Sequence, residues 1–327
     1  MRRAAGIAVI AVVAAGLAGV PAASAGSGDQ ADSFAAASHS KASATGRWLH
    51  ENLSSSGDRD WFRFTMPTSG RALVTLGHLP GNYALDVYGP DSTLLASSDQ
   101  PGRRFEQVYR AFAAGDVFVR VSSSHRVKPS VNYALKFRPL PDAMVIAEQR
   151  NVGDKPGYDI KGELLNNTAQ WREVAHLHVT WVDRSGNSVG TQDEGIIPGP
   201  IGPHKRIQFS VEQSQPPAGT TGYRISIADR TTTRRTPHGL VLTPGKRSET
   251  PTQRVYRGTV HNTSSRTMRG VYPTVIEYDR LGRAIAFGFD QISSLAPGAT
   301  SDYTAAVNIK GLPHLNGIRQ FATITKP

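Results

Sequence analysis

Residues able to bind metals or transfer protons are few and scattered along the chain. His176 and His178 stand two apart in a segment of alternating polar and apolar residues, so on a strand both imidazoles share one face. The opposite face then carries Leu177, Val179 and Trp181. Two imidazoles on one face are candidate transition-metal ligands, but no third ligand can be assigned. A solvated strand face is the favoured interpretation.

Three carboxylates form a second candidate metal set. Asp58 and Asp60 stand two apart just before an aromatic segment, and Asp86 follows in another predicted strand. Calcium takes six to eight oxygen ligands, so these three residues are weak candidates. The favoured alternative is that Asp58 and Asp60 shape the turn before the strand. We therefore predict no cofactor, with calcium the ion that these three carboxylates suggest.

No catalytic residues can be nominated. The chain has no Cys, which excludes disulfides, thiolate metal sites and a cysteine nucleophile. The zinc-peptidase motif H-E-x-x-H, the G-x-S-x-G elbow, the P-loop and the dinucleotide glycine pattern are absent from the sequence. We therefore expect a protein that is not an enzyme. An unrecognised enzyme with its site at a domain interface remains an alternative.

The N-terminal 25 residues have the three parts of a secretory signal peptide. Arg2 and Arg3 precede an apolar stretch over 4–20, and Ala23-Ser24-Ala25 is an A-x-A cleavage site. We predict a secreted protein cleaved after Ala25, with an uncleaved membrane anchor as the rival interpretation. No other segment approaches the length of a membrane span.

The charge balance is basic and diffuse. The 327 residues include 37 Lys and Arg against 26 Asp and Glu, a net charge of +11. Because export removes the protein from nucleic acids, the expected partners are anionic surface polymers or lipid headgroups rather than DNA or RNA. Tyr83, Arg103 and Arg104 are the candidates for an aromatic and basic binding surface.

From Trp48 onward the pattern has period two, with turn residues every 8–12 positions, which is typical of an all-β sandwich. In the segment 61–65, Trp61 alternates with Phe62 and Phe64, so the two sets must pack on opposite faces. No window predicts an amphipathic helix. The segment 26–45 is rich in Ala, Ser and Gly and is predicted to be a flexible leader.

Beyond Pro141 the chain repeats itself at an offset of 96 residues, which slips to 94 further along. Each copy has a G-x-[LV]-x-N strand, a long strand and an Asp-Arg-x-Gly turn. The matched positions are Pro141 and Pro237, Val145 and Val241, Gly162 and Gly258, Asn166 and Asn262, Val179 and Val275, Asp183-Arg184 and Asp279-Arg280, and Gly186 and Gly282. In each turn, Asp can accept backbone N–H bonds and Gly can take a left-handed conformation.

The segment before the repeat resembles the bacterial pre-peptidase C-terminal (PPC) domain. The resemblance is carried by Gly57–Phe64, Leu79–Tyr88, Ala114–Val121 and Tyr133–Phe137, in that order. It implies a jelly-roll-like sandwich that usually lies behind a secreted protease, with some members binding insoluble substrates or calcium. Ala84 departs from the family pattern, which has an acidic residue at this position.

The two repeats resemble the FxLYD family of secreted and envelope-associated modules. The second copy carries Gly258, Asn262, Tyr278-Asp279, Gly282 and Pro297-Gly298. The first copy has Trp181-Val182-Asp183 and Pro203-His204 at the equivalent places. The resemblance implies immunoglobulin-like sandwiches and no catalysis.

The sequence thus predicts an all-β protein of three consecutive sandwiches, the first jelly-roll-like and the other two immunoglobulin-like repeats. The predicted segments are a signal peptide (1–25), a leader (26–45), a PPC-like sandwich (46–140) and two FxLYD-like repeats (141–236 and 237–327). We expect a binding or adhesion module for an extracellular or cell-wall surface polymer. An accessory or modulator of a secreted peptidase is the alternative that the first resemblance suggests.

Overall fold

A computed structural model describes residues 30–123, 129–153, 157–195, 199–235 and 239–326. Strands make up 59% of the described residues and helix 2%, arranged as several antiparallel sheets. This confirms the predicted all-β fold of consecutive sandwiches. The predicted signal peptide lies outside the described residues. Within them, no helix combines the length and the hydropathy needed to cross a membrane.

The first sandwich has two sheets with the strand orders β1-β8-β3-β6 and β2-β7-β4-β5. Its strands are β1 (Leu49–Glu51), β2 (Arg59–Met66), β3 (Gly70–Gly77), β4 (Ala84–Tyr88), β5 (Leu94–Ser98), β6 (Glu106–Phe112), β7 (Gly115–Ser122) and β8 (Tyr133–Leu140). Phe62 and Phe64 point between the sheets, where Phe64 stacks on Phe137 with ring centroids 4.7 Å apart.

The leader is not irregular throughout, which corrects the prediction for part of it. A short helix α1 (Phe34–His39) packs on the outer face of β2, where Trp61 would otherwise face water. The Phe34 ring contacts the Trp61 ring edge-on, with the ring centroids 5.7 Å apart. The backbone N–H of Trp61 donates to the Ala31 carbonyl at 2.9 Å. Burial of aromatic surface therefore orders a segment whose composition alone predicts flexibility.

The second and third sandwiches share one topology. The second contains β9 (Met144–Asn151), β10 (Tyr158–Asn166), β11 (Arg172–Val182), β12 (Ser188–Glu194), β13 (Pro200–Ile201), β14 (Arg206–Gln213) and β15 (Gly222–Thr231). The third contains β16 (Leu240–Glu249), β17 (Gln253–Asn262), β18 (Met268–Tyr278), β19 (Ala284–Phe289), β20 (Ile292–Leu295), β21 (Thr300–Asn308) and β22 (Gly317–Lys326). In each sandwich the first, second and sixth strands form one sheet and the other four form the second sheet.

The repeated asparagine makes the same contacts in both copies. Asn262 Nδ2 lies within 3.1 Å of the carbonyl oxygens of Arg266, Leu295 and Ala296. Asn166 Nδ2 does the same with the carbonyls of Gln170, Ile201 and Gly202. Both side chains are fully buried. One amide therefore ties the end of a strand to the turn that follows it and to one distant backbone segment in each sandwich.

The outer face of the sheet β9-β10-β14 is covered by both neighbouring sandwiches. From the first sandwich, Leu73 and Leu140 pack on Val145, Ala147 and Leu165 of the second. From the third, β19 contacts both β9 and β10, and Lys161 of β10 lies over the Phe287 ring at 5.9 Å. The three sandwiches therefore meet around one sheet of the middle one.

Candidate anion-binding cleft between the sandwiches

The turn at 279–282 contacts both of the other sandwiches. Asp279 Oδ1 accepts the N–H groups of Leu281 and Arg283 at 2.8 and 3.0 Å, and Gly282 has φ of +70°. The turn at 183–186 is built in the same way, since Asp183 Oδ1 accepts the N–H groups of Ser185 and Asn187. Local sequence thus explains both turns.

The first sandwich holds the third-sandwich turn directly. The His78 N–H donates to the Arg280 carbonyl at 2.7 Å. A Cβ added at Gly282 would lie 2.7 Å from the Phe105 ring, so this ring packs against the glycine itself. The Phe105 N–H donates to Asn316 Oδ1 at 3.0 Å, and Asn316 Nδ2 donates to the Arg103 carbonyl at 2.7 Å.

The second sandwich holds the same turn through charge. Arg150 Nη1 lies 2.6 Å from Asp279 Oδ2, and Arg283 Nε lies 2.8 Å from the same oxygen. Burial of Asp279 acts to raise its pKa, but the positive charge and hydrogen bonds of Arg283, together with Arg150, hold it below the ordinary value. Asp279 therefore stays ionised and joins two arginines from two sandwiches.

A cleft of about 290 Å³ opens beside this junction. It is lined by His78, Arg150, Asp279, Arg280, Leu281, Arg283, Pro313 and His314. Three arginines against one carboxylate make it cationic. Within the described chain, the exposed side chains of Arg280 and His314 have no hydrogen-bond or ion-pair partner, so both are free to donate to a ligand. A guanidinium suits a carboxylate, phosphate or sulfate.

A buried carboxylate lies in the contact between the second and third sandwiches. Glu163 is 1% exposed, and its Oε1 is 2.5 Å from Arg319 of the third sandwich. Arg206 of the second sandwich is 3.6 Å from Oε2. Burial, reinforced by the nearby Glu163 charge, raises the pKa of Tyr278, so its phenol stays protonated. The charge of Glu163 is thus paired across the interface.

The three calcium candidates have separate roles. Asp60 is buried and accepts a short hydrogen bond from the Tyr133 hydroxyl. Asp86 pairs with Arg120 at 2.6 Å, and Asp58 Oδ2 accepts the Ser54 N–H at 2.5 Å. In the described part of the chain, no three or more His, Cys, Asp or Glu side chains are placed to hold a metal ion.

His176 and His178 share an exposed face, as their spacing predicts, with Leu177, Val179 and Trp181 buried on the other side. Asp193 of the neighbouring strand lies 2.7 Å from His178 Nδ1 and 3.8 Å from His176 Nε2. The His178 hydrogen bond lowers the pKa of Asp193. The carboxylate thus acts as a partner of the two imidazoles.

Tyr83 is not a surface residue, which corrects the binding-surface prediction. It is fully buried in the core of the first sandwich, with its ring 5.9 Å from Tyr133. Burial, together with the Asp60 and Asp58 charges, raises its pKa to about 12. The residue follows a Pro-Gly-Asn turn signal, but the apolar pocket between the sheets takes its ring. Arg103 and Arg104 are exposed, as predicted.

The residues that line the cleft were not predicted from the sequence. Arg150, His78 and His314 belong to different sandwiches and share no local motif. The available signal was the repeated Asp-Arg-x-Gly turn, which places Arg280 at its tip. That signal does not separate the two copies, because Arg184 occupies the equivalent exposed place in the second sandwich.

No protein-family model and no curated protein matches the chain. Among solved structures, it is similar to a GH2 β-galacturonidase from Eisenbergiella tayi, with 11% identity and a TM-score of 0.31 over 63% of this chain and 33% of that one. A Bacteroides uniformis β-glucuronidase gives 11% identity and a TM-score of 0.30 over 72% and 26%. The chain thus spans a third or less of these enzymes, and a likeness of this size carries no argument about activity.

Proposed function

We propose that the protein is a secreted, non-enzymatic binding module that holds an anionic polymer of an extracellular or cell-wall surface. The observation that carries the proposal is the cationic cleft between the sandwiches. Its unpaired guanidinium and imidazole, from Arg280 and His314, can donate to an oxyanion. Leu281 and Pro313 offer an apolar surface beside them.

The contents of the cleft also favour binding over catalysis. Its one carboxylate, Asp279, is held by Arg150 and Arg283 and by two backbone N–H groups. A carboxylate so paired is a poor general base because its pKa is lowered. The cleft lining contains no Ser, Thr, Lys or Tyr that could serve as a nucleophile.

The test is retention on polymers of defined charge. We expect the protein to bind polygalacturonate, dextran sulfate or polyphosphate at low ionic strength, and to be released by salt, while neutral dextran and chitin do not retain it. Which anion binds most tightly identifies the oxyanion class.

Arg280→Gln is the diagnostic variant, and Arg184→Gln is its matched control. Each removes one exposed arginine from the equivalent position of one of the two repeated turns, but only Arg280 lines the cleft. Loss of a charged hydrogen bond is worth about 1.5–3 kcal/mol, so Arg280→Gln should weaken binding roughly 10- to 100-fold. Equal weakening by both variants would mean that diffuse surface charge binds the polymer, and would overturn the proposal.

A further inference from the structure

The cleft is a composite of all three sandwiches. His78 comes from the end of β3 in the first, Arg150 from β9 in the second, and Arg280, Arg283 and His314 from the third. Sliding the third sandwich away would separate Arg280 and His314 from the other walls. The geometry that a ligand meets therefore exists only while the three sandwiches are docked.

The docking of the third sandwich depends on contacts that do not line the cleft. One of them is the pairing of buried Glu163 with Arg319 across the interface. Removing one member of a buried ion pair costs far more than losing an exposed pair, and without Arg319 the Glu163 carboxylate keeps the longer 3.6 Å contact with Arg206. Arg319 thus contributes to docking and does not line the cleft.

We propose that anion binding in the cleft and docking of the third sandwich are coupled, so that each strengthens the other. The inference rests on the proposed function, because it takes the cleft as the binding site. A ligand that binds only the docked arrangement stabilises it by mass action, and by reciprocity loosened docking lowers the affinity. The protein then binds its polymer with all three sandwiches docked together.

Two backbone amides report docking directly. The His78 N–H donates to the Arg280 carbonyl, and the Phe105 N–H donates to Asn316 Oδ1, so both bonds cross from the first sandwich to the third. Their hydrogen exchange should slow when short oligogalacturonate or pyrophosphate is added at saturation. Amides inside the first-sandwich core, such as that of Val119, should not change.

Arg319→Leu is the decisive variant. We expect faster exchange at His78 and Phe105, and probe binding about tenfold weaker although every cleft residue is intact. Saturating probe should restore the protection. Arg319→Lys keeps the charge and is the milder variant, to be used if Arg319→Leu does not fold. Its exchange rates and its probe affinity should lie between those of the parent protein and those of Arg319→Leu.

Arg172→Leu is the matched control, because Arg172 pairs with the largely buried Asp229 inside the second sandwich. It should lower stability without changing exchange at His78 or probe affinity. If Arg319→Leu loosens docking but binds the probe as tightly as the parent protein, the coupling is wrong and the proposed function stands. If the parent protein binds none of the probes, the proposed function is wrong, and the coupling that rests on it is wrong as well.

Discussion

At the scale of single residues, the buried asparagines make the same contacts in both repeats, although the two repeats share few identical residues. Asn166 and Asn262 each share two N–H groups among three carbonyls, and each Oδ1 accepts from the residue two positions on. The sequence marks these asparagines as matched positions of the repeated G-x-[LV]-x-N strand. It does not predict the distant carbonyls, because Leu295 and Ala296 lie more than thirty residues away.

Asn262→Asp tests this role with almost no change of shape. The variant keeps the oxygen that accepts from Ser264 but replaces the donor with a charged oxygen facing three carbonyls. We expect a loss of about 3 kcal/mol in the free energy of unfolding, measured by urea denaturation. Asn308→Ala, an exposed position on β21, should change stability by less than about 1 kcal/mol. Similar losses for both would contradict the anchoring role.

At the scale of elements, alternation predicts strands well and short ordered segments poorly. The opposite packing of Trp61 and of Phe62 with Phe64 follows from the period of two. Helix α1 does not follow, because a helix of six residues has too little intrinsic stability to leave a sequence signal. Its order comes from the Trp61 surface that it covers.

The two Asp-Arg-x-Gly turns provide an internal comparison at this scale. Gly186→Ala and Gly282→Ala both impose strain, because both glycines have positive φ, at a cost of about 1 kcal/mol. Only the methyl at position 282 would also press on the Phe105 ring, adding about 1–3 kcal/mol. Thermal unfolding should therefore show the larger loss for Gly282→Ala. A larger effect at Gly186 would argue against the packed turn.

At the scale of the whole molecule, the sequence predicts three sandwiches but not their arrangement. The docking residues Phe105, Glu163 and Arg319 belong to unrelated local patterns, and nothing in their spacing links them. The composition suggests surface charge, yet several charges lie in the interfaces: the side chains of Lys161, Glu163 and Asp279 are at most 14% exposed. Only the tertiary contacts reveal this.

Acid should loosen the docked arrangement. The pKa of Asp279 is below its ordinary value of 3.8, so its contribution is complete above that value and is lost as the pH falls through the lower, folded-state pKa. We expect the radius of gyration, measured by small-angle scattering, to rise below about pH 4. Asp279→Asn should already be expanded at pH 7 and respond less to acid. Asp183→Asn, in the exposed counterpart turn, should behave as the parent protein does.

The packing of the first sandwich against the turn at 279–282 also means that, during synthesis, Phe105 is made well before the turn that it contacts. Phe105 leaves the ribosome roughly 175 residues before the turn that covers it. At about 5–20 residues per second, its docking surface waits on the order of 10–35 s for a partner. During that interval the nascent chain carries an uncovered apolar patch, so synthesis of the third sandwich also completes the surface of the first.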